Sequence, residues 1–501
     1  HDAKGQHPNY GALARDGVSC ASCHHAVFKS EDIDEQFTDG APNAQNACIK
    51  QRQELLNPGV PHDTLAASFS GSFMVGEPDR ISAQFESPKV KPMKNSLGLT
   101  PEHDETFSRS DICGTCHTVH LTILQDGKKV GTVFEQTTYP EWAFSEFRTG
   151  ITANYPDGMG ALPSGRPSAG NLQLTCQQCH MESSVFKPRQ GFPDGLELPD
   201  LSRQSQFVSK IATIQEKTNF PASDNTLPAE EIDLERRSGF ARHTLVGLNV
   251  FFMSMAKQHP NVLGIPRDAK GYMSPDPTHT TINVPYIDRT LKHMQIYARK
   301  RTATIAVQSA QLKDDQLVAT VRVENGVGHK FPSGVSFRRA FVEFKVLDAQ
   351  GNTLWGSGVS NGAGVIMDDG VNPADGEPID GELWWDNECK ANDQRLAFQP
   401  HFDTGPNAIS RQDQAQIYQE LVMSPPKGYP IKPEVPGQPA TKLIPVDQCG
   451  TQLQPDDDPY AYYPGWSLTT SFLSICAQAK DNRLLPQGYL PLPDRQAITR
   501  K

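Results

Sequence analysis

Three stretches of this 501-residue chain repeat one pattern of reactive side chains: Cys20-Ala-Ser-Cys23-His24, Cys113-Gly-Thr-Cys116-His117 and Cys176-Gln-Gln-Cys179-His180. Two thiols three positions apart lie on one side of a short helical turn. There both can form thioether bonds to the vinyl groups of a single porphyrin, and the imidazole that follows points at its iron. The pattern is that of a c-type haem attachment site. Structural zinc sites also use Cys-x-x-Cys pairs, but they want two pairs close together and have no reason to place histidine after each. The expected cofactors are therefore three haem c groups. They are held by Cys20, Cys23, Cys113, Cys116, Cys176 and Cys179, with His24, His117 and His180 as first axial ligands.

The second axial position decides what such irons can do. An iron with two protein ligands passes electrons, whereas an open iron can also bind and convert a small molecule. The chain has 15 histidines. His329 is the leading distal candidate, in the loop Asn325-Gly-Val-Gly-His-Lys-Phe-Pro-Ser-Gly between two expected strands, where glycines let backbone approach a flat ligand. His243, in Ala241-Arg-His-Thr-Leu-Val-Gly-Leu-Asn, stands just ahead of an apolar helix. The third ligand is open. His120 lies three residues after His117 on the same expected helical face, so it cannot bind that iron but could reach a neighbouring one. His25 follows a motif histidine directly, and His103, His279 and His293 are reserves. A surface or hydrogen-bonded histidine is the ordinary alternative for each. Met181, Met253 and Met255 are set aside as ligands, the last two because a helix core explains them.

The elements that must hold these side chains read as α+β. Turn-forming runs such as Asn57-Pro-Gly and Tyr155-Pro-Asp-Gly break up the first 230 residues, so that region is organised around its cofactors. One helix is expected from an Asn249 cap to about Gln258, stopped by His259-Pro260. A second runs from Ile287 to Arg301, with Ile287, Leu291, Met294 and Ala298 on one face. After residue 302 the pattern alternates: Thr304-Ile-Ala-Val, Val318 to Val323, Ala340 to Val346, then a turn at Asp348-Ala-Gln-Gly-Asn before Thr353-Leu-Trp. These strands suggest an immunoglobulin-like antiparallel β-sandwich. A short helix is expected over Ser410 to Leu421, and Trp466, Phe472, Leu473 and Ile475 should fold back for burial. The division is a trihaem domain over 1–300 and a C-terminal domain over 301–501 that contains the sandwich and a mostly irregular remainder.

Composition narrows the class. The chain is 37% hydrophobic with 39 Gly and 40 Pro, which suits a loop-rich domain whose core is partly porphyrin. Its net charge of -11 argues against nucleic acid and weakly favours basic redox partners. The longest apolar stretch, Leu245 to Met255, is too short to span a bilayer. Covalent haem attachment follows export, so a removed leader and a periplasmic or extracellular location are expected. In that oxidising setting Cys48, Cys389, Cys449 and Cys476 suggest one or two disulfides, in any of three pairings. The carboxylates of Asp368-Asp-Gly, Asp375-Gly-Glu and Asp386-Asn-Glu could hold calcium, although a solvated acidic face is the simpler reading.

The chain resembles the multihaem cytochrome c family, in the broad cytochrome c-554-like group. The likeness rests on Gly17-Val-Ser-Cys-Ala-Ser-Cys-His, Cys113-Gly-Thr-Cys-His-Thr-Val, Phe134-Glu-Gln-Thr-Thr-Tyr-Pro-Glu-Trp and Cys176-Gln-Gln-Cys-His-Met. His243-Thr-Leu-Val-Gly-Leu-Asn, Gly328-His-Lys-Phe-Pro-Ser-Gly and Lys480-Asp-Asn-Arg-Leu-Leu-Pro extend it over most of the chain, except 361–405 and 425–465. The resemblance implies that His329 and His243 are distal haem ligands; the tandem His24-His25 and His120 do not look like fixed features of the group. It implies an electron carrier for redox partner proteins, possible partners including other multihaem cytochromes. Two further readings stand beside it. One is an oxidoreductase acting on a small inorganic nitrogen or sulfur species at an open iron; the other is a subunit of a homo-oligomer or cytochrome filament.

Overall fold

The computed structural model describes residues 20–27, 73–88, 90–125, 128–149, 174–181, 186–188, 195–200, 210–213, 233–236, 241, 243–259, 286–335, 338–379, 382, 408–424, 467–469, 475 and 477–489. Short helices alternate with small, mostly antiparallel sheets, an irregular α+β arrangement. No helix among the described residues is long and apolar enough to cross a membrane.

The haem motifs sit on single helical turns. Cys20–His24 and Cys176–His180 are each one five-residue helix. The second of these starts with a capping box. Thr175 accepts from the Gln178 amide, and the Gln178 side chain accepts from the Thr175 amide, so two otherwise orphaned N–H groups are satisfied. The middle motif is different: the helix Asp111–Gly114 begins before it and ends inside it. Its cysteines and histidine therefore straddle a helix end. A strand, Val119–Gln125, follows and pairs with Lys128–Gln136. His120 is opposite Phe134 in that ladder, so it does not share a helical face with His117 as expected. The β-branched run Val119 to Ile123 favours a strand over a continued helix.

Small cores lie directly behind the motifs. Phe147, Leu174, Leu196 and Leu198 form one, and Tyr139, Ala143 and Phe144 another, with Trp142 packed against both. The helix Val250–Gln258 ends at His259, as expected before Pro260. The helix Tyr286–Lys300 buries Ile287, Met294 and Tyr297, and the last two pack with Val246 and Phe186. Tyr297, rather than the exposed Ala298, completes that stripe.

The C-terminal strands assemble as separate ladders. Ala303–Lys313 and Gln316–Asn325 form a long hairpin closed by Asp314 and Asp315, both in the left-handed region (φ 50° and 59°) as a tight hairpin turn requires. The run expected as one strand over Ala340 to Val346 breaks in two. Arg339–Phe341 joins a four-stranded sheet with Ile417–Ser424, Ser467–Leu468 and Ala477–Asp481, while Phe344–Leu347 pairs with Thr353–Ser357. Two facing sheets of an immunoglobulin-like sandwich are not formed by the described residues. The helix expected over Ser410 to Leu421 is instead a turn leading into the strand Ile417–Ser424. Ala415, Ile417 and Gln419 are buried at a spacing of two, which is the period of a strand. Of the C-terminal apolar residues, Ile475 is buried; Trp466, Phe472 and Leu473 lie outside the described residues.

Candidate haem-binding site

The three motifs come together in space. The Cys176 amide donates to Ser110 Oγ at 3.0 Å, and the Gln177 amide donates to the carbonyls of Phe107 (3.1 Å) and Arg109 (2.6 Å). The third motif is thus seated on the residues that lead into the second, and the Cys113 and Cys176 side chains touch through a hydrogen bond. The first motif is also close: Cys116 and Cys20 both act on the Cys23 thiol and, after burial, push its pKa up. Burial pushes the Cys179 thiol up to about 12. Among the described residues no group of three or more His, Cys, Asp or Glu is arranged as a metal cluster.

The imidazoles are presented in a common way. His24 donates from Nδ1 to Ser82 O at 2.7 Å, His180 to Val246 O at 2.7 Å, and His329 to Lys330 O at 2.9 Å. A carbonyl on Nδ1 sets the tautomer and leaves Nε2 as the available donor atom. Burial lowers the pKa of His180, and that of His329 to about 4, so both rings are neutral and ligand-competent at pH 7.

Two pairs of rings face one another. The centroids of His180 and His329 are 6.3 Å apart with planes 16° from parallel; those of His24 and His243 are 6.2 Å apart at 42°. Two imidazoles on opposite sides of one metal, each at a metal–nitrogen distance of about 2.0 Å with roughly 1.15 Å more to the ring centre, have centroids about 6.3 Å apart. Each pair joins one motif histidine to one from later in the chain, and each separation leaves room for an iron between them. The surroundings suit a porphyrin as well. Leu245, Leu248, Val250, Phe251 and Phe252 next to His243 are exposed, Phe251 by 73%, which is more apolar surface than water favours and fits the face of a flat apolar ligand. The Phe107 ring lies parallel to His24 at 5.2 Å.

Specific contacts orient His243 and His329. Thr244 Oγ1 donates to His180 O at 2.9 Å and the Val246 amide to the same carbonyl at 3.2 Å, while Tyr297 Oη donates to Cys179 O at 2.7 Å. One segment, 243–246, therefore faces the first motif and is tied to the third. Leu245 has φ 44°, a left-handed conformation that costs a leucine about 1 kcal/mol or more and here lets the chain turn sharply after His243.

The His329 loop is held still more closely. A Cβ on Gly326 would lie 2.5 Å from Leu196, and one on Gly328 2.9 Å from Phe147, so only glycine fits this approach. The Asn325 amide donates to His329 O (2.8 Å) and Leu484 O (3.0 Å). Beneath the loop lies a buried charge network. Glu141 accepts from the Lys330 amide (3.1 Å) and Ser333 Oγ (3.0 Å) and pairs with Arg483 (3.2 Å); Arg483 also meets Glu420 (3.4 Å) and Asp481 (2.8 Å), and Asp481 meets Lys330 (2.6 Å).

His117 has a different setting. Burial and His180 lower its pKa, the Gln136 side chain is hydrogen-bonded to it, and Arg338 acts on it as a positive charge. Of the other histidines considered, His25 is in the turn after the first motif, His103 ends the strand Thr100–His103, and His293 is on the helix Tyr286–Lys300. His279 and the four remaining cysteines, Cys48, Cys389, Cys449 and Cys476, lie outside the described residues. The acidic loop turns inward on itself: Asp368 accepts from the Glu377 amide at 2.8 Å, and Asp369 from the Val371 (2.8 Å) and Asn372 (3.0 Å) amides. Asp386-Asn-Glu lies outside the described residues.

Sequence reasoning did not find Gln136, Arg338, Glu141 or Arg483. Their signal was present in part, because Gln136 and Glu141 belong to the Phe134-to-Trp142 run and Arg483 to Lys480-Asp-Asn-Arg, but neither run names its contacts.

No protein-family model matches the chain, and no curated protein matches it. Among solved structures it is similar to a penta-heme cytochrome c552 from Thermochromatium tepidum, with 13% identity and a TM-score of 0.33 over 94% of this chain and 63% of that one. The chain thus spans less than two thirds of that structure's length.

Proposed function

We propose that this chain is a trihaem c-type cytochrome that passes single electrons between redox partner proteins in the periplasm or outside the cell. The observation that carries this reading is the pair of facing imidazoles at 6.2 and 6.3 Å, each built from a Cys-x-x-Cys-His histidine and a distal one. His24 with His243 and His180 with His329 would hold two irons, and His117 the third from one side. When bound, haem supplies one-electron exchange between ferric and ferrous iron. The chain's own part is to anchor, orient and shield. Carbonyls of Ser82, Val246 and Lys330 fix the imidazoles, and the cores behind the motifs keep the thioether helices rigid. Because the second motif contacts the third through Cys113 and Cys176 and approaches the first through Cys116 and Cys23, it is the middle member of the relay.

The test is a haem count by pyridine haemochrome with low-temperature EPR. Three haems per chain, with two or more low-spin bis-imidazole signals, are expected. A colourless protein, or pigment that extracts into acidified organic solvent, rejects the reading. Turnover of nitrite or of a small sulfur species at a stoichiometric high-spin haem would move the assignment to an oxidoreductase with an open iron at His117.

A homo-oligomeric or filament form has its own support. The pairing register puts Ile305, Val307, Ala310 and Leu312 on one face of the long hairpin with Leu317, Ala319, Val321 and Val323, and the charged Lys313, Arg322 and Glu324 on the other. Leu312 is 76% exposed on the apolar face. Native mass measured across a dilution series distinguishes a monomer from an assembly.

A further inference from the structure

The haem sites differ in what stands behind the motif histidine. At His24 and His180 it is a neutral backbone carbonyl. The distal His329 also has a carbonyl, but beside the buried network in which Glu141, Glu420 and Asp481 outnumber Arg483 and Lys330. Behind His117 stands the Gln136 side chain, at the end of the strand Lys128–Gln136. Arg338 converges on the same place. A Cβ built on Gly334 would lie 2.9 Å from Arg338 Nη1 and 3.3 Å from Gln136 Nε2. Gly334 itself has φ 96°, so glycine is required there twice over. Neutral acceptors fix the guanidinium: Nη1 donates to Ser333 O at 3.1 Å and Nη2 to Asn249 Oδ1 at 3.0 Å.

We propose that Gln136 and Arg338 are positioning residues that make the haem at the second motif the most oxidising of the three. This rests on the trihaem reading above. Reducing an iron removes one positive charge from the site. A fixed cation in a poorly solvated setting favours the state with less positive charge, so it raises the potential of the nearest iron. Gln136, neutral like the carbonyls behind His24 and His180, leaves that effect of Arg338 unopposed. As a neutral partner it adds no anionic character to the imidazole, as a carboxylate would. Glu135 also acts on Arg338, but Arg338 is the charge that acts on His117, since burial keeps His180 neutral. The consequence is a relay whose middle member collects the first electron delivered by a reductant.

Potentiometric titration of the full-length holoprotein with dithionite, followed in the α-band, tests this on wild type, Arg338→Gln, Arg338→Lys and Gln136→Glu. The haem count comes first. Fewer than three haems in wild type defeats the trihaem reading and leaves no middle site to tune. With three present, Arg338→Gln is expected to move the most positive component to lower potential and leave the other two in place. Arg338→Lys should keep wild-type potentials, and Gln136→Glu should lower the same component. Three unchanged components, or a shift confined to either of the less positive ones, overturns the proposal. If Arg338→Gln fails to incorporate haem, Gln136→Glu decides by the same criterion.

Discussion

At the scale of single residues, a histidine is useful to an iron only when it is neutral and aimed. His329 meets both conditions through burial and the Lys330 carbonyl. Its folded pKa near 4 lies below the unfolded value of about 6.5, so the unfolded chain takes up a proton that the folded chain refuses. Stability from this group is complete above about pH 6.5 and is lost as pH falls towards 4, a change of roughly 3 kcal/mol. Urea melts between pH 7 and pH 4 should show that loss, and the His329→Ala variant should show a flatter curve. The same substitution should turn one low-spin haem into a high-spin one in EPR while the haem count stays at three; an unchanged number of low-spin signals in the variant would show that His329 is not a ligand. Residues of this kind were legible from the sequence because chemistry restricts them. His243 and His329, chosen for their glycine-bearing settings, are the two that face motif histidines. Gln136 and Arg338 were not legible, because an amide or a guanidinium has many ordinary uses and only the meeting of a strand end with a distant loop gives these two theirs.

At the scale of elements, the His329 loop depends on charges brought from a helix (Glu141), two strands (Glu420 and Asp481) and the segment after the second of them (Arg483). The Arg483 side chain is 2% exposed and touches Glu141, Glu420 and Asp481. Those carboxylates hold its pKa well above the usual guanidinium value, and Arg483 with Lys330 holds Asp481 well below the carboxylate range. Replacing Arg483 with Met leaves carboxylates buried without their main cation, which costs about 3–5 kcal/mol. Because Glu141 also holds the Lys330 amide and Ser333, the variant should lose His329 ligation before it unfolds globally, seen as a high-spin signal at sub-denaturing urea. Leu312→Lys offers the contrast. Its site on the long hairpin is largely exposed, so the midpoint should move by no more than about 0.5 kcal/mol. Elements were read unevenly from the sequence for physical reasons. The helix Tyr286–Lys300 and the long hairpin carry strong periodicities. The strand Ile417–Ser424 hides its own, because it buries Gln419, whose backbone N–H donates to Asn482 Oδ1 at 3.0 Å far along the chain. A polar residue that is buried and bonded across a sheet looks, in sequence, like a solvent-facing helix position.

At the scale of the whole molecule, the cores formed by the described residues are small, and the proposed cofactors would take the place of a single large apolar interior. Phe147 with Leu174 and Leu196, and Tyr139 with Ala143 and Phe144, back the motifs rather than one another's sheets. Strands that flank a cofactor do not need a second sheet to cover them, and the described residues do not show the expected sandwich. Around this interior the chain carries a net charge of -11. A surface of that sign attracts cationic partners and repels anionic ones, and salt screens it over about 10 Å at 0.1 M. Stopped-flow reduction by a small cationic reductant should therefore slow several-fold as ionic strength rises from about 0.01 to 0.2 M, and reduction by an anionic one should speed up over the same range. Equal salt dependence for both reductants would show that the global charge does not govern entry. The electron would then enter through a locally neutral surface.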